Sequence, residues 1–177
     1  VLLNAAPADK AAAIDALAAL QETSGALSDP ARYRADILAR EAQFTTAVGN
    51  GIAVPHAKSP AVIRPSLAAM TVPGGVDYDA PDGAPVKLLF MIAVPEGGAD
   101  LHLELLSRLM VMLMEENFCQ KLLDAKTPEE FLRLIDEQEK LKYPGETAEA
   151  PAPAEEAPRL RVLAVTACPT GIAHTYM

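Results

Sequence analysis

From Ala8 to Leu20 apolar residues recur at helical spacing, with Ile14, Leu17 and Ala18 on one face, which predicts an amphipathic helix. Asp29 followed by Pro30 is an N-cap with proline in the first helical position, and opens a second helix running to about Ala42. Val48 to Val54 and Leu67 to Val72 are short β-prone runs bounded by glycine and proline. Val86 to Val94 is almost continuously apolar, the pattern of a strand buried on both faces. Leu101 to Met114 is longer and apolar nearly all round, so it predicts a buried helix. Thr127-Pro128-Glu129-Glu130 is a capping box that starts a last helix through about Ile135. Strands interleaved with helices predict an α/β sandwich.

The pattern breaks at Tyr143. Residues 143–158 hold four prolines and four glutamates and no Lys or Arg. Such a stretch buries too little apolar area to offset its ordering entropy, so it is expected to be an extended, disordered, self-repelling linker. After it, R-L-R-V-L-A-V starts like a new buried strand. The expected organisation is therefore a domain over residues 1–142, a linker over 143–158, and over 159–177 the first strand and loop of a second, truncated domain. V-L-L-N at the start reads as the tail of a first strand whose beginning is missing.

Charge narrows the function classes. With 24 acidic against 15 basic residues, the formal net charge is -9. Nucleic-acid binding needs Lys and Arg to displace counterions from phosphates, so that class is set aside. No apolar run approaches the roughly 18 residues that span a bilayer, and no signal peptide is visible. Two cysteines are too few for a disulfide framework, which fits a reducing, cytoplasmic setting.

Three histidines limit where imidazole chemistry can sit. His56 lies in G-N-G-I-A-V-P-H-A-K-S-P; a strand is expected to end at Val54, with Pro55 breaking it and delivering the ring at the sheet's carboxyl end. A surface-loop histidine is the plainer alternative, but Pro55 fixes the backbone before the ring, and Gly49 and Gly51 allow close approach of another element. His102, in G-G-A-D-L-H-L-E-L-L, falls in the first turn of the buried helix with Asp100 as expected N-cap. Free N–H groups there favour an anion and disfavour an imidazolium. A histidine bonded to a nearby carbonyl explains it equally well on its own.

No metal-ligand spacing, nucleotide-binding glycine motif or nucleophile elbow is present, so no metal and no cofactor are expected. Cys119 reads as a small buried residue on a helix. Cys168, in T-A-C-P-T-G-I-A-H-T-Y-M, follows a strand directly. Backbone N–H groups of such a loop converge on one centre, lower a thiol pKa and cradle a tetrahedral anion, with Thr170, His174 and Thr175 as further donors.

These segments resemble a known family. R-E-A-Q-F-T-T-A-V-G-N-G-I-A-V-P-H-A-K-S is similar to the active-site segment of the fructose/mannitol class of phosphotransferase-system (PTS) enzyme IIA (EIIA) domains, and D-L-H-L-E-L-L-S-R-L to that family's second histidine segment. T-A-C-P-T-G-I-A-H-T-Y-M resembles the phosphocysteine loop of fructose-type enzyme IIB (EIIB) domains. The resemblance implies helices on both sides of a mixed β-sheet. It makes His56 the phosphorylated residue, has His102 hydrogen-bond the phosphoryl group and Arg40 neutralise it, and leaves Thr46 as a further donor. It also implies a phosphotransferase that needs no cofactor. Its donor would be the histidine-containing phosphocarrier protein HPr and its acceptor an EIIB cysteine such as Cys168, which in this chain lacks the rest of its domain. The full-length permease would continue into a membrane EIIC domain and take up fructose. The alternative is a nitrogen-type regulatory EIIA, sharing His56 but signalling by phosphorylation-dependent protein binding; the appended Cys168 loop speaks against it.

Overall fold

This computed structural model describes residues 1–97, 99–144, 166–167 and 173–174, and for 99–102 and the last four the backbone alone. Helix α1 spans Lys10–Thr23 and helix α2 Pro30–Glu41. α2 starts as its sequence predicts, Asp29 accepting from the Arg32 N–H with Pro30 behind it, whereas α1 starts two residues later than expected, where Asp9 accepts from the Ala12 N–H. Strands β1 (Ala47–Gly49) and β2 (Ile52–Ala53) form a tight hairpin where one strand was expected. Gly49 is required at its turn, since φ is +90° there and an added Cβ would lie 3.2 Å from the Asp82 carboxylate. The remaining strands of the domain are β3 (His56–Ser59), β4 (Ser66–Val76) and β5 (Val86–Pro95).

The sheet is mixed. β5 lies at its centre, antiparallel to β4 on one side and parallel to both β2 and β3 on the other. Ile52 pairs with Leu88 and His56 with Ile92, an offset of four residues on each strand. β2 and β3 thus pair with β5 in one shared register, on either side of a break at Val54-Pro55. Proline removes one bond from the β5 ladder, since its carbonyl accepts from the Ile92 N–H at 3.0 Å and its N–H side faces β5 as well, and strand pairing lapses at Val54 and Pro55. The expected break at Val54-Pro55 is observed, but the placement of His56 beyond the strand is corrected: His56 opens a second strand segment and is not in a loop. At the start of the chain Leu2 makes a parallel bridge to Met70 of β4. The short strands β6 (Thr166–Ala167) and β7 (Ala173–His174) pair antiparallel, and Ala173 bridges to Ser66.

Helix α3 (Ala99–Leu113) returns from the carboxyl end of β5, followed by α4 (Glu116–Asp124) and α5 (Pro128–Lys142). α3 begins one residue before Asp100, so Asp100 stands within the first turn and not at the cap. α5 runs a full two turns beyond Ile135. Thr127 caps it as expected, its hydroxyl accepting from the Glu130 N–H.

Two cores flank the sheet. On one face Ile14, Leu17, Tyr33 and Ile37 of α1 and α2 meet Met70, Leu89 and Met91. On the other, Leu105, Leu109, Phe118, Leu122 and Phe131 of α3, α4 and α5 meet Leu88, Phe90 and Ile92. Side chains of β5 alternate between the two, so Leu88 to Val94 are all buried and the run has to be apolar throughout. The expected sandwich of helices on both sides of a mixed sheet is the observed fold. Among the described residues no helix is long and apolar enough to cross a membrane. The linker expected over 143–158 lies outside the described residues from 145 onward, and so do Cys168, Thr170 and Thr175.

Candidate active site

β3 is an edge strand, and beside it the two helical layers leave a cleft of about 530 Å³. Arg32, Asp36, Arg40 and Gln43 from α2 and the turn after it line one wall, His56 and Lys58 the floor, and Glu96 and Leu103 the side nearest α3. Ala57 and Ser59 point the other way; Ala57 joins the α1–α2 core and the Ser59 hydroxyl donates to Asp36 Oδ2 at 2.6 Å. Alternation along a strand then puts His56 and Lys58 together on the cleft side.

His56 is half-buried, and its Nδ1 is 2.7 Å from the Val54 carbonyl oxygen. A carbonyl only accepts, so Nδ1 carries the proton. In the neutral ring Nε2 then holds the lone pair. Burial lowers the imidazole pKa below its ordinary value, the Val54 bond raises it, the Arg40 charge lowers it and the Glu41 charge raises it. The net shift is downward, so the ring is neutral and nucleophilic at pH 7.

Arg40 sits in the last turn of α2, and its Nη1 donates to the Phe44 carbonyl at 3.0 Å. That bond holds the guanidinium against the turn that leaves the helix and keeps its remaining donors on the cleft side. A planar donor fork close to a nucleophilic nitrogen suits a tetrahedral oxyanion.

Thr46 is brought near but is otherwise engaged. It is buried, its hydroxyl donates to Glu41 Oε2 at 2.6 Å, and its N–H donates to Oε1 at 2.8 Å. The hydroxyl proton expected to reach a phosphoryl group is committed to a carboxylate, so Thr46 fastens Glu41 in this arrangement. His102 lies in the first turn of α3, adjacent in sequence to the cleft residue Leu103, which places its backbone at the cleft rim; its side chain is outside the described residues. Cys119 is on a helix as expected, in α4, but half-buried, and burial raises its thiol pKa, which favours an inert thiol.

Lys58, Gln43 and the Glu41 carboxylate were not singled out from the sequence. Lys58 was within reach: it is two residues from His56, and reading V-P-H-A-K-S as strand would have put both on one face. Glu41 gave no such signal, because its partners come from α1 and from beyond the turn.

Comparison with known proteins agrees with this geometry. Residues 1–138 match the family described as phosphoenolpyruvate-dependent sugar phosphotransferase system, EIIA 2. The chain is 43% identical over 177 residues to the PTS fructose-specific EIIABC component of Bacillus subtilis, covering 100% of this chain and 28% of that protein. It is 42% identical over 127 residues to the PTS fructose-specific EIIA component of Haloferax volcanii, covering 72% of this chain and 82% of that one. The crystal structure of the nitrogen regulatory protein IIA-Ntr from Neisseria meningitidis superposes with a TM-score of 0.69 at 29% identity, over 76% of this chain and 90% of that one. The chain thus spans little more than a quarter of the multidomain Bacillus relative and most of the stand-alone one. With the sheet order, the edge histidine and the family match in agreement, the chain belongs to the EIIA type 2 family of the sugar phosphotransferase system.

Proposed function

We propose that this domain accepts a phosphoryl group from phospho-HPr on His56 Nε2 and passes it to an EIIB cysteine during fructose uptake. The observation that carries the reading is the Nδ1 bond of His56 to the Val54 carbonyl, in a cleft that also holds Arg40. With Nδ1 protonated, the Nε2 lone pair attacks phosphorus in line. The N–P bond of the donor histidine breaks, its electron pair returns to the donor ring, and a new N–P bond forms at His56. In the second transfer the cysteine thiolate attacks, an S–P bond forms, and the electron pair of the broken bond returns to Nε2. Such a loose transition state asks for alignment and charge stabilisation, which Arg40 supplies from α2 and Lys58 from β3. His102, at the start of α3, is assigned in this reading to hydrogen-bond the phosphoryl group.

The domain boundary at about 142, the tether to 158 and the phosphocysteine loop at Cys168 belong to the same reading. They are supported by the identity to the Bacillus EIIABC protein, which extends over all 177 residues. A membrane EIIC partner is suggested by the EIIABC make-up of that relative, and fructose by the specificity of the Bacillus and Haloferax relatives.

Incubation with phosphoenolpyruvate, enzyme I and HPr tests the reading. Acid-labile phosphate is expected on the wild-type chain and is expected to vanish in His56→Ala. Absence of label on the wild type, or its persistence in the variant, overturns it. Adding a complete fructose-type EIIB separates transport from regulation: rapid loss of the label to its cysteine supports transport, and retention supports the nitrogen-type regulatory role.

A further inference from the structure

The buried carboxylate of Glu41 faces three donors and makes none of the cleft's wall. Its Oε1 is 2.9 Å from Lys10 Nζ of α1 and 2.8 Å from the Thr46 N–H, and its Oε2 accepts the Thr46 hydroxyl at 2.6 Å. Lys10 is itself held over the Tyr78 ring at 4.7 Å and paired with Asp79 at 3.2 Å. Two carboxylate oxygens are well suited to satisfy three donors at once, and burial first, then the nearness of Glu41, push the Tyr78 hydroxyl pKa upward.

From this anchor two hydrogen-bonded branches lead to the cleft. In one, the Thr46 carbonyl accepts from the Val54 N–H at 3.0 Å, and the Val54 carbonyl in turn accepts from His56 Nδ1 at 2.7 Å. In the other, Phe44, two residues before Thr46, offers the carbonyl on which Arg40 Nη1 rests at 3.0 Å. Nucleophile and guanidinium therefore hang from the same short segment, 44–46, which Glu41 fastens at Thr46 and which the Thr45 hydroxyl ties separately to the Tyr78 carbonyl at 2.9 Å.

We propose that Glu41, neutralised by Lys10 and clamped on Thr46, is a positioning residue that holds His56 in its Nδ1–H tautomer and Arg40 in register with it. Thr46 then serves the reaction through Glu41 and not by touching the phosphoryl group. This rests on His56 as the phosphoryl acceptor. A plain ion pair tying α1 to α2 would cost stability when broken and leave the histidine's tautomer and the turnover of folded protein alone. Glu41→Gln discriminates, because it keeps the shape but removes the charge opposite Lys10 and leaves one acceptor oxygen where Lys10, the Thr46 N–H and the Thr46 hydroxyl share two.

The experiment uses the whole chain and two readouts. Folded Glu41→Gln is expected to lower kcat for phosphoryl acceptance from phospho-HPr on the order of 10- to 100-fold, with KM changed less than about threefold. The ¹⁵N shifts of the His56 ring, taken without any donor, are expected to move from the pure Nδ1–H form toward a tautomer mixture. Wild-type kcat and an unchanged ring spectrum in folded Glu41→Gln overturn the proposal. If Glu41→Gln does not fold, Thr46→Val and Thr46→Ser take its place: Val is expected to reproduce the loss and Ser to restore activity, and a Val variant with normal kcat and ring spectrum overturns it equally. In the double variant Glu41→Gln/Thr46→Val the losses are expected not to add; additive losses assign Thr46 a direct role and overturn the shared clamp. A wild-type chain that takes no phosphoryl group defeats the function proposed above, while the donor-free ring spectrum still decides the positioning.

Discussion

The two faces of the sheet are built differently. Against α3, α4 and α5 the sheet presents Leu88, Phe90 and Ile92, and Phe90 and Phe131 meet with ring centroids 6.0 Å apart. Against α1 and α2 the apolar core is threaded with buried polar groups. Gln21 Nε2 donates to the Met91 carbonyl at 2.9 Å while its Oε1 accepts the Ser66 hydroxyl at 2.6 Å, and Tyr33 donates to the Ile92 carbonyl at 3.3 Å. Glu41 and Thr46 continue that wiring to the cleft. The apolar face stabilises by area and tolerates any filler of the right volume. The polar face stabilises less per residue, but each of its bonds has a direction, so it fixes where backbone and side chains stand. The nucleophile hangs from the polar face.

That contrast can be broken by substitution. Phe131→Ala, in the apolar core, is expected to have the largest effect, about 3–5 kcal/mol of unfolding free energy in a denaturant titration. It should leave the phosphorylation rate of the folded fraction unchanged. A matched pair of volume-conserving swaps sharpens the difference. Gln21→Met removes the donor to Met91 and the acceptor for Ser66 and is expected to cost about 1–3 kcal/mol, whereas Leu122→Met on the other face is expected to stay below about 1.5. Equal costs would mean the two faces do not differ in kind. Removing the helix caps by Asp29→Ala or Thr127→Ala is expected to lower stability by about 1 kcal/mol each, whichever face the helix serves, because capping is local.

The smallest effect concerns charge at His56. Burial and Arg40 lower its pKa, so the unfolded chain binds a proton there before the folded one does. The stability tied to the neutral ring is complete above the ordinary histidine value of about 6.5 and is lost as pH falls through the depressed folded value. An NMR titration is expected to find the His56 midpoint below that ordinary value, and Arg40→Met is expected to raise it. A midpoint at or above it would remove the premise that the cleft keeps the ring ready to attack.

Some of this was legible in the chain. The starts of α2 and α5 were visible because Asp29-Pro30 and Thr127-Pro128 act within one turn of themselves. The doubly buried β5 was visible because both its faces must be apolar. α4 gave less warning: Glu115 precedes it without making a side-chain cap bond, and what fixes it is Phe118 and Leu122 entering the second core. Pro55 misled in the other direction. Proline interrupts strands, and pairing with β5 does lapse at Val54 and Pro55, but the Pro55 carbonyl still holds the Ile92 N–H and pairing resumes in the same register from His56 to Ser59.

By itself the amino-acid sequence determined the sandwich class, two helix starts, the central strand, and the candidates Arg40 and His56, because these depend on local spacing or on motifs that resemble a known family. Only the tertiary structure decided which nitrogen of His56 holds the lone pair, that Lys58 shares its face, and that Thr46 is fastened to Glu41. Each of these depends on a contact across the sheet or between helices, as when Lys10 of α1 meets Glu41 of α2. No periodicity in a chain records such contacts.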